Sequence, residues 1–587
     1  MAQSLQTPGV YVIEQNAFPN SVVPVATAIP AFIGYSQQTV SAASQGQDMT
    51  LIPTQITSLK QFEDFFGTGY TQTFTATVTT ATATVLTGTL PTAPTNGSSL
   101  PAFPTTKFSS GAVYTLTPGA STSVSTDLFY LYSAIQLFYK NGGSTCYIVS
   151  LGNYAAGIAG PTSPQTNTGI YQNAIATLEL EPDPTMLLCP DALMYDIGDY
   201  STVMQLMLAH CNKMQSRVAI FDVYAGAGAS LTPGTDPSTV AGSPIDNFRS
   251  DIGQNYLNYG IAYFPWVNTN LFSASDITFL NIDAKTLTAL ATLNPAPVAP
   301  ATTPVQIMVP EWGAPIVAPA TQPPPIEIFK EAGNLQAYEN GTPLPTDITD
   351  ATGATLTPAQ VELQLQARIT AVNNALNTSF PDYALLTAAI TNYLNTQPVA
   401  PAMAGIFTMV DNNVGVWKAP ANVSLTAVTS PTVGLNDFLQ ADMNVDAATG
   451  KSVNAIRTFR GLGTLVWGAR TLAGNSQDWR YINVRRTMIF IEQSVKLAAR
   501  SYVFAPNDAN TWTTVKSMIS SFLFNIWKQG ALAGAVPADA YSVAVGLGTT
   551  MTADDILNGY MNITVLVAVT HPAEFIQLTF QQELQKS

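Results

Sequence analysis

The residues that could do chemistry in this chain are few. Two histidines, His210 and His571, stand in 587 residues, although general acid–base and metal chemistry lean on imidazole. His210-Cys211 places a base beside a thiol, but adjacent residues of a helix point about 100° apart and do not face each other. The pair reads as structural. Gly226-Ala227-Gly228-Ala229 follows a strand ending at Val223, as a phosphate-binding turn would, yet it lacks a third glycine and a following Gly-Lys-Ser/Thr. It reads as a plain loop. Asp222, at a strand's carboxyl end, lies where α/β enzymes place catalytic groups; without convergent partners it reads as a loop-organising acceptor. Glu179, Glu181 and Asp183 alternate with Leu180, Pro182 and Pro184 and lack further metal ligands, which suits a solvated connection. Cys146, Cys189 and Cys211 are odd in number, widely spaced and without a CxxC pair. That argues against a disulfide framework or a zinc site and for three buried apolar residues. The expectation is a protein that is not an enzyme and has no metal or cofactor.

One stretch does concentrate charge. Lys451, Arg457, Arg460, Arg470, Arg480, Arg485, Arg486, Lys496 and Arg500 face only Asp478 and Glu492, in a chain whose net charge is −15. A helix over 484–500 would align Arg485, Ile489, Glu492, Lys496 and Arg500 at spacings of four, three, four and four. Met488, Ile491, Val495 and Ala498 would form its buried face. A basic stripe on an acidic protein predicts a specific acidic partner. A second feature lies near the two ends of the sequence. Val10, Tyr11, Val12 and Ile13 form a β-prone run after the Pro8-Gly9 turn, and Ile576, Leu578 and Phe580 alternate with Gln577, Thr579 and Gln581 as in a half-buried strand. Unpaired strands invite uncontrolled pairing unless a partner uses them, so both are expected to add to sheets of neighbouring copies.

These features need a large frame. At roughly 100–200 residues per domain, the chain holds about three to five domains. Only 10% of residues are charged, against roughly 25% in an average soluble protein, while 46% are hydrophobic, so a charged disordered chain is excluded. A net charge of −15 excludes a general polyanion-binding surface, and no direct nucleic-acid partner is expected. No apolar run approaches the roughly 18–20 residues of a spanning helix, so no membrane insertion is expected. The opening residues carry no secretory signal pattern, which predicts synthesis and assembly in the cytoplasm.

Along the chain, 28–34 reads as a strand covered on both faces, and 57–67 as a short helix with a Ser or Thr cap and a closing glycine. From 70 to 127 the composition turns to Thr, Ala, Ser, Gly and Pro, which predicts a surface β-rich insertion. Helical and strand signals then alternate: helix 128–140, strand 144–151, helix 173–180, strand 185–189, helix 201–215, strand 217–223. This alternation indicates an α/β domain with a largely parallel sheet. Pro-rich segments and helices over 358–376 and 383–394 mark a second insertion. After 400, helices over 484–500 and 511–527 followed by strands predict a separate α+β domain. The expected fold class is therefore α/β plus α+β, multidomain: an arm over 1–25; an α/β domain over 26–69 and 128–267; insertions at 70–127 and 268–398; an α+β domain over 399–571; and an arm over 572–587.

Several runs, in order, resemble the contractile tail sheath proteins of bacteriophages and related contractile injection systems. These are Thr7-Pro8-Gly9-Val10-Tyr11-Val12-Ile13-Glu14, Ala28-Ile29-Pro30-Ala31-Phe32-Ile33-Gly34, the Asn141-Gly142-Gly143 turn before Cys146-Tyr147-Ile148-Val149, and Tyr263-Phe264-Pro265-Trp266-Val267. The closing third adds Gly415-Val416-Trp417-Lys418-Ala419-Pro420, Val466-Trp467-Gly468-Ala469-Arg470, Tyr481-Ile482-Asn483-Val484-Arg485-Arg486 and Pro572-Ala573-Glu574-Phe575-Ile576. The resemblance implies copies stacked as rings around an inner tube, linked by terminal arms and contracting to drive the tube through a target envelope. The implied partners are further copies of the chain, the inner tube protein, and baseplate and terminator or cap proteins. Arg480, Arg485, Arg486, Lys496 and Arg500 would grip the tube, and Val10, Tyr11, Val12, Ile13, Ile576, Leu578 and Phe580 would exchange strands. A static helical or capsid protein is the alternative.

Overall fold

A computed structural model describes residues 22–80, 105–107, 113–118, 128–159, 166–227, 242–293, 325–339 and 357–578. The chain divides into two compact units. The larger comprises Ala28–Met409 and Pro420–Ile482; the smaller comprises Met1–Thr27, Val410–Ala419 and Asn483–Ser587.

The larger unit is organised by one eight-stranded sheet. Its strands are β1 (Pro30–Ser36), β2 (Thr54–Ile56), β3 (Cys146–Asn153), β4 (Met186–Leu188), β5 (Val218–Asp222), β6 (Gly260–Phe264), β7 (Asn454–Phe459) and β8 (Gly463–Trp467), in the spatial order β8-β7-β6-β5-β4-β1-β3-β2. The six inner strands run parallel, and β2 and β8 close the edges antiparallel. Every residue of β1 is buried, as its unbroken apolar run requires of a parallel strand covered on both faces. Its Phe32 pairs with Ile148 on one side and Leu188 on the other. Neither edge offers a long template: β2 has three residues, and β8 is bonded along its outer side by the segment around Asn422–Leu425.

The connecting helices follow their sequence signals. Helix α1 (Leu59–Phe66) starts at Ser58, whose hydroxyl accepts from the Gln61 backbone N–H, and ends at Gly67 with φ 81°, a conformation that favours glycine. Helices α2 (Leu131–Lys140) and α3 (Ile197–Met214) lie in the α/β part, and α4 (Ala400–Asn413) follows the second insertion. The two insertions meet each other. The Thr-rich segment forms a three-stranded sheet of Phe74–Thr80, Val113–Pro118 and Thr105–Lys107. Its Ala76 N–H donates to Thr286 Oγ1 at 3.0 Å, and Phe74 packs edge-on against Tyr393.

The expected boundary near 399 is not where the structure divides. Strands β7 and β8 extend the large sheet, with Asn454 and Ala455 opposite Tyr263 and Phe264. The reason is pairing: once β6 presents a free edge, a parallel strand is worth more there than in a small separate sheet.

The smaller unit contains most of α5 (Ile482–Ala499), α6 (Ala509–Lys528) and an antiparallel pair, β9 (Tyr541–Val545) and β10 (Ile563–Val567). Asp508 caps α6 by accepting from the Thr511 N–H. Val515, Met518, Phe522 and Ile526 form the buried face of α6, and Phe522 meets Phe490 of α5. Residues 571–578 form no strand, so the half-buried strand expected over 576–580 is absent from its described part. All three cysteines are buried and free.

Candidate functional site

The carboxyl end of the parallel sheet is where an α/β enzyme binds its ligand, in the crevice flanking the first strand. Here two buried carboxylates fill that place. Asp191, just after β4, accepts from the N–H groups of Tyr130 and Leu131 with Oδ1 (2.6 and 2.9 Å) and from Tyr35 with Oδ2 (2.6 Å). Gly34 permits this approach, because a Cβ there would lie 2.5 Å from Asp191 Oδ2. Asp222, ending β5, accepts from the N–H groups of Val399 and Ala400 at 2.7 and 2.9 Å. Each carboxylate thus satisfies orphan donors at the start of a helix, α2 or α4, that no residue of its own caps. Burial pushes both acids up to about 7, against the pull of their backbone donors. Asp222 therefore organises structure, as its isolation in the sequence suggested. His210 is packed against Arg217 at 3.2 Å, and burial, then that guanidinium, pushes it down to about 4. It is an inert imidazole. No group of three or more metal-ligating side chains occurs among the described residues.

The expected basic stripe does not form. Of the nine basic residues, Lys451, Arg457, Arg470, Arg485 and Arg486 are buried. Arg457 binds Asp437 at 2.7 Å, and Arg470 donates to the Asn444 carbonyl at 3.1 Å. Arg486 holds Asp411 in a two-pronged pair at 2.6 and 2.9 Å and also donates to the Thr27 carbonyl at 2.8 Å. Arg485 lies 4.0 Å from Glu492, and Ile489, placed on the same stripe by spacing, is buried too. Arg480, half-buried, donates to the Gly474 carbonyl at 3.0 Å. Only Lys496 and Arg500 of the five expected tube-contact residues are exposed. The start of α5 runs through the core of the smaller unit, so four-residue spacing there aligns residues on a face that is covered, and the arginines serve buried carbonyls and a carboxylate instead.

The small sheet is the better assembly site. A two-stranded ribbon is marginal alone; here Val543 is buried and Ile563, Val565 and Val567 are half-buried, while Thr564 and Leu566 face out. Neither outer edge of the pair carries a further strand among the described residues. Beyond β10 the chain crosses Ala531–Ala533 by bonds from Ala533 to Ala568 and from Thr570 to Ala531. Phe575, Ile576 and Leu578 then stand exposed. Phe580 and the run Val10, Tyr11, Val12 and Ile13 lie outside the described residues. The acceptor strands β9 and β10 were not singled out in the sequence, although the alternation of β10 was visible there.

A parallel α/β body whose ligand crevice is sealed, joined in one chain to a helix-backed ribbon with open edges, has the build of an assembly subunit. Comparison with known proteins specifies which kind. Residues 475–583 match the family described as phage tail sheath C-terminal domain, which spans α5, α6, β9, β10 and the exposed segment. The tail sheath protein of Burkholderia phage BcepMu is 28% identical over 149 residues, 24% of this chain and 31% of the relative; that of Vibrio phage KVP40 is 27% identical over 135 residues, 23% of this chain and 20% of the relative. The matched stretch thus spans a third or less of these curated relatives. By fold, the chain is similar over 99% of its length to the sheath of an extracellular contractile injection system, PVC, in the contracted state (TM-score 0.53, 20% identity, 99% of that chain). It is equally similar to the helical sheath of the anti-feeding prophage, also contracted (TM-score 0.52, 22% identity, 100% of that chain). By its C-terminal domain and its fold, the chain belongs with the contractile tail sheath proteins. Among the described residues, no helix is long and apolar enough to cross a membrane.

Proposed function

We propose that the chain is the structural subunit of a contractile tail sheath, polymerising as stacked rings around an inner tube and contracting to drive that tube through a target cell envelope. The observation that carries this reading is the tail sheath C-terminal domain at 475–583 on a chain whose whole fold is that of contracted sheaths. The open ribbon β9–β10 receives strands from neighbouring copies, donated by Val10, Tyr11, Val12 and Ile13 and by Ile576, Leu578 and Phe580. The exposed apolar residues after β10 support this, since an unpaired apolar segment gains both hydrogen bonds and burial on a neighbour's edge. Lys496 and Arg500 make the electrostatic contact with the tube. Exposed ion pairs are worth roughly 0–1 kcal/mol each, so such a grip releases collectively when the sheath expands. Baseplate and cap proteins are the remaining partners, and the particle is a phage tail or a related injection device.

Negative-stain electron microscopy of the purified chain tests this. Hollow helical cylinders are expected, and a chain lacking 572–587 is expected to stay folded without forming them. Cylinders with one lattice under all conditions would favour a static structural protein. Monodisperse monomers throughout would overturn the sheath reading.

A further inference from the structure

Phe504 is the most exposed large apolar side chain described in the chain, and it is held out by strained backbone. It follows the single 3-10 turn Arg500–Tyr502 at the end of α5 and has a φ of 70°, a region a bulky residue adopts only when its surroundings impose it. The loop is anchored rather than loose. The Val503 and Ala505 N–H groups bond back to Arg500 and Tyr502, and Asn507 accepts from Trp512 Nε1 at 2.7 Å while donating to the Tyr560 carbonyl at 2.9 Å. Val503 beside it is exposed, and Lys496 and Arg500, one turn apart, flank it with positive charge. Strain kept at a rigid, fully solvated aromatic has no use in the monomer.

The same chain carries a surface of opposite sign and similar apolarity. On the short helix Asp437–Asn444, Phe438 is 75% exposed, next to Asp437 and one turn from the exposed Asp442. The Gln440 side chain donates to the Trp467 carbonyl at 2.6 Å, which ties this helix to the β7–β8 hairpin. There Trp467 stacks on Phe459 with centroids 4.5 Å apart, the buried Arg457 guanidinium lies 5.1 Å from the Phe459 ring, and Leu462 is exposed, with Arg460 at the hairpin tip. Exposed aromatics on a rigid frame are the composition of binding hot spots.

We propose that these two surfaces are partners between copies: the Phe504 loop of one chain seats on the Phe438–Trp467 patch of the next, with Lys496 and Arg500 facing Asp437 and Asp442. The two surfaces differ, so the contact is heterologous. Contacts of that type propagate into rings or open helices rather than closing a dimer, which suits a helical polymer. The inference rests on the sheath reading and adds to it a side-chain contact separate from the strand exchange.

The test is a cysteine pair. Cys146, Cys189 and Cys211 are buried, so cysteines introduced by F504C and F438C are the accessible thiols. Oxidation of polymer assembled from the double variant is expected to give a ladder of covalent multimers on a non-reducing gel, and each single variant should give none. F504S and F438S are each expected to raise the critical concentration for polymerisation at least tenfold, the double variant scarcely further, with circular dichroism and melting of the monomer unchanged. Cylinders of wild-type efficiency from F504S, normal polymer without a ladder, or a concentration-independent crosslink within one chain would each overturn the proposal while leaving the sheath reading intact. Loss of the F504S effect on polymer alone but weaker loading onto tube would place Phe504 on the tube and overturn it too. Failure of the wild-type chain to polymerise would remove the sheath reading and this contact with it.

Discussion

The two sheets of this chain treat their edges and ends in opposite ways. In the larger unit, eight strands are closed on one side by a three-residue strand and on the other by a bonded segment, and the carboxyl-end crevice is filled by Asp191 and Asp222. In the smaller unit, two strands backed by helix α6 leave both edges without a further strand among the described residues, and the segment that follows exposes Phe575, Ile576 and Leu578. The first arrangement removes every place where a small ligand or a stray strand could bind. The second offers backbone donors and acceptors that only another chain can satisfy. The difference teaches that an α/β frame here serves as rigid body, and that binding is delegated to a small element too marginal to stand without its helix.

The comparison is most sharply tested at Arg486, which reads as interior cement of the smaller unit rather than as part of a surface. The Arg486–Asp411 pair is buried on both sides. Removing one partner of such a pair leaves an uncompensated charge and costs about 3–5 kcal/mol, whereas replacing both by apolar residues can be neutral. Urea denaturation should show R486A destabilised by that amount and the double variant R486M/D411L largely restored. An R486A chain as stable as wild type would return Arg486 to the surface stripe.

The sealed crevice is tested at Asp222. D222A strands two backbone N–H groups at the start of α4, and an unsatisfied buried donor costs about 1–3 kcal/mol. D222N keeps the acceptor and should lose less. The pH dependence separates charge from hydrogen bonding. Asp222 has its folded value raised from 3.8 to about 7 by burial, so the stability linked to its proton is fully present below about pH 4 and lost as pH rises through 7. Asp191 adds the same sign, while His210, pushed down to about 4, adds the opposite. Melting curves from pH 4 to 8 should therefore show D222N falling less steeply with pH than wild type, since all other groups are common to both. Parallel slopes would mean that Asp222 is ionised throughout.

Much of the larger unit was legible in the sequence because its signals are local and redundant. The capped helix after Ser58, the unbroken apolar run of β1 and the alternation of strand and helix from 128 to 223 each follow from the residues themselves. The recruitment of β7 and β8 into that sheet was not legible, since nothing in Asn454–Phe459 says which of two sheets offers the better edge. The basic stretch misled for a related reason. Spacing gives the face of a helix but not whether the face is covered, and arginine is the basic residue best suited to burial, because its guanidinium can serve a carboxylate and a carbonyl at once, as Arg486 does. The exposed ends of the assembly site were readable as β-prone runs; their acceptor, β9–β10, becomes apparent only when the two strands are seen to pair with nothing outside themselves.

The smallest expected effect concerns the other exposed feature of the smaller unit, the Phe504 loop. A left-handed backbone costs a non-glycine residue of order 1 kcal/mol or more, and glycine recovers this while losing roughly 0.5–1 kcal/mol of extra chain entropy on folding. F504A keeps the backbone strain and removes a side chain that touches little, so its monomer should match wild type. F504G should be more stable than F504A by up to about 1 kcal/mol, read as a small rise in melting temperature. Both should lose assembly alike. That combination, a gain in the monomer together with a loss in the polymer, is what distinguishes a residue held out for a neighbour from one that merely has nowhere to pack. If F504G were instead less stable than F504A, the φ of 70° would be imposing no strain, and the loop would differ from the open ribbon in being an ordinary surface turn.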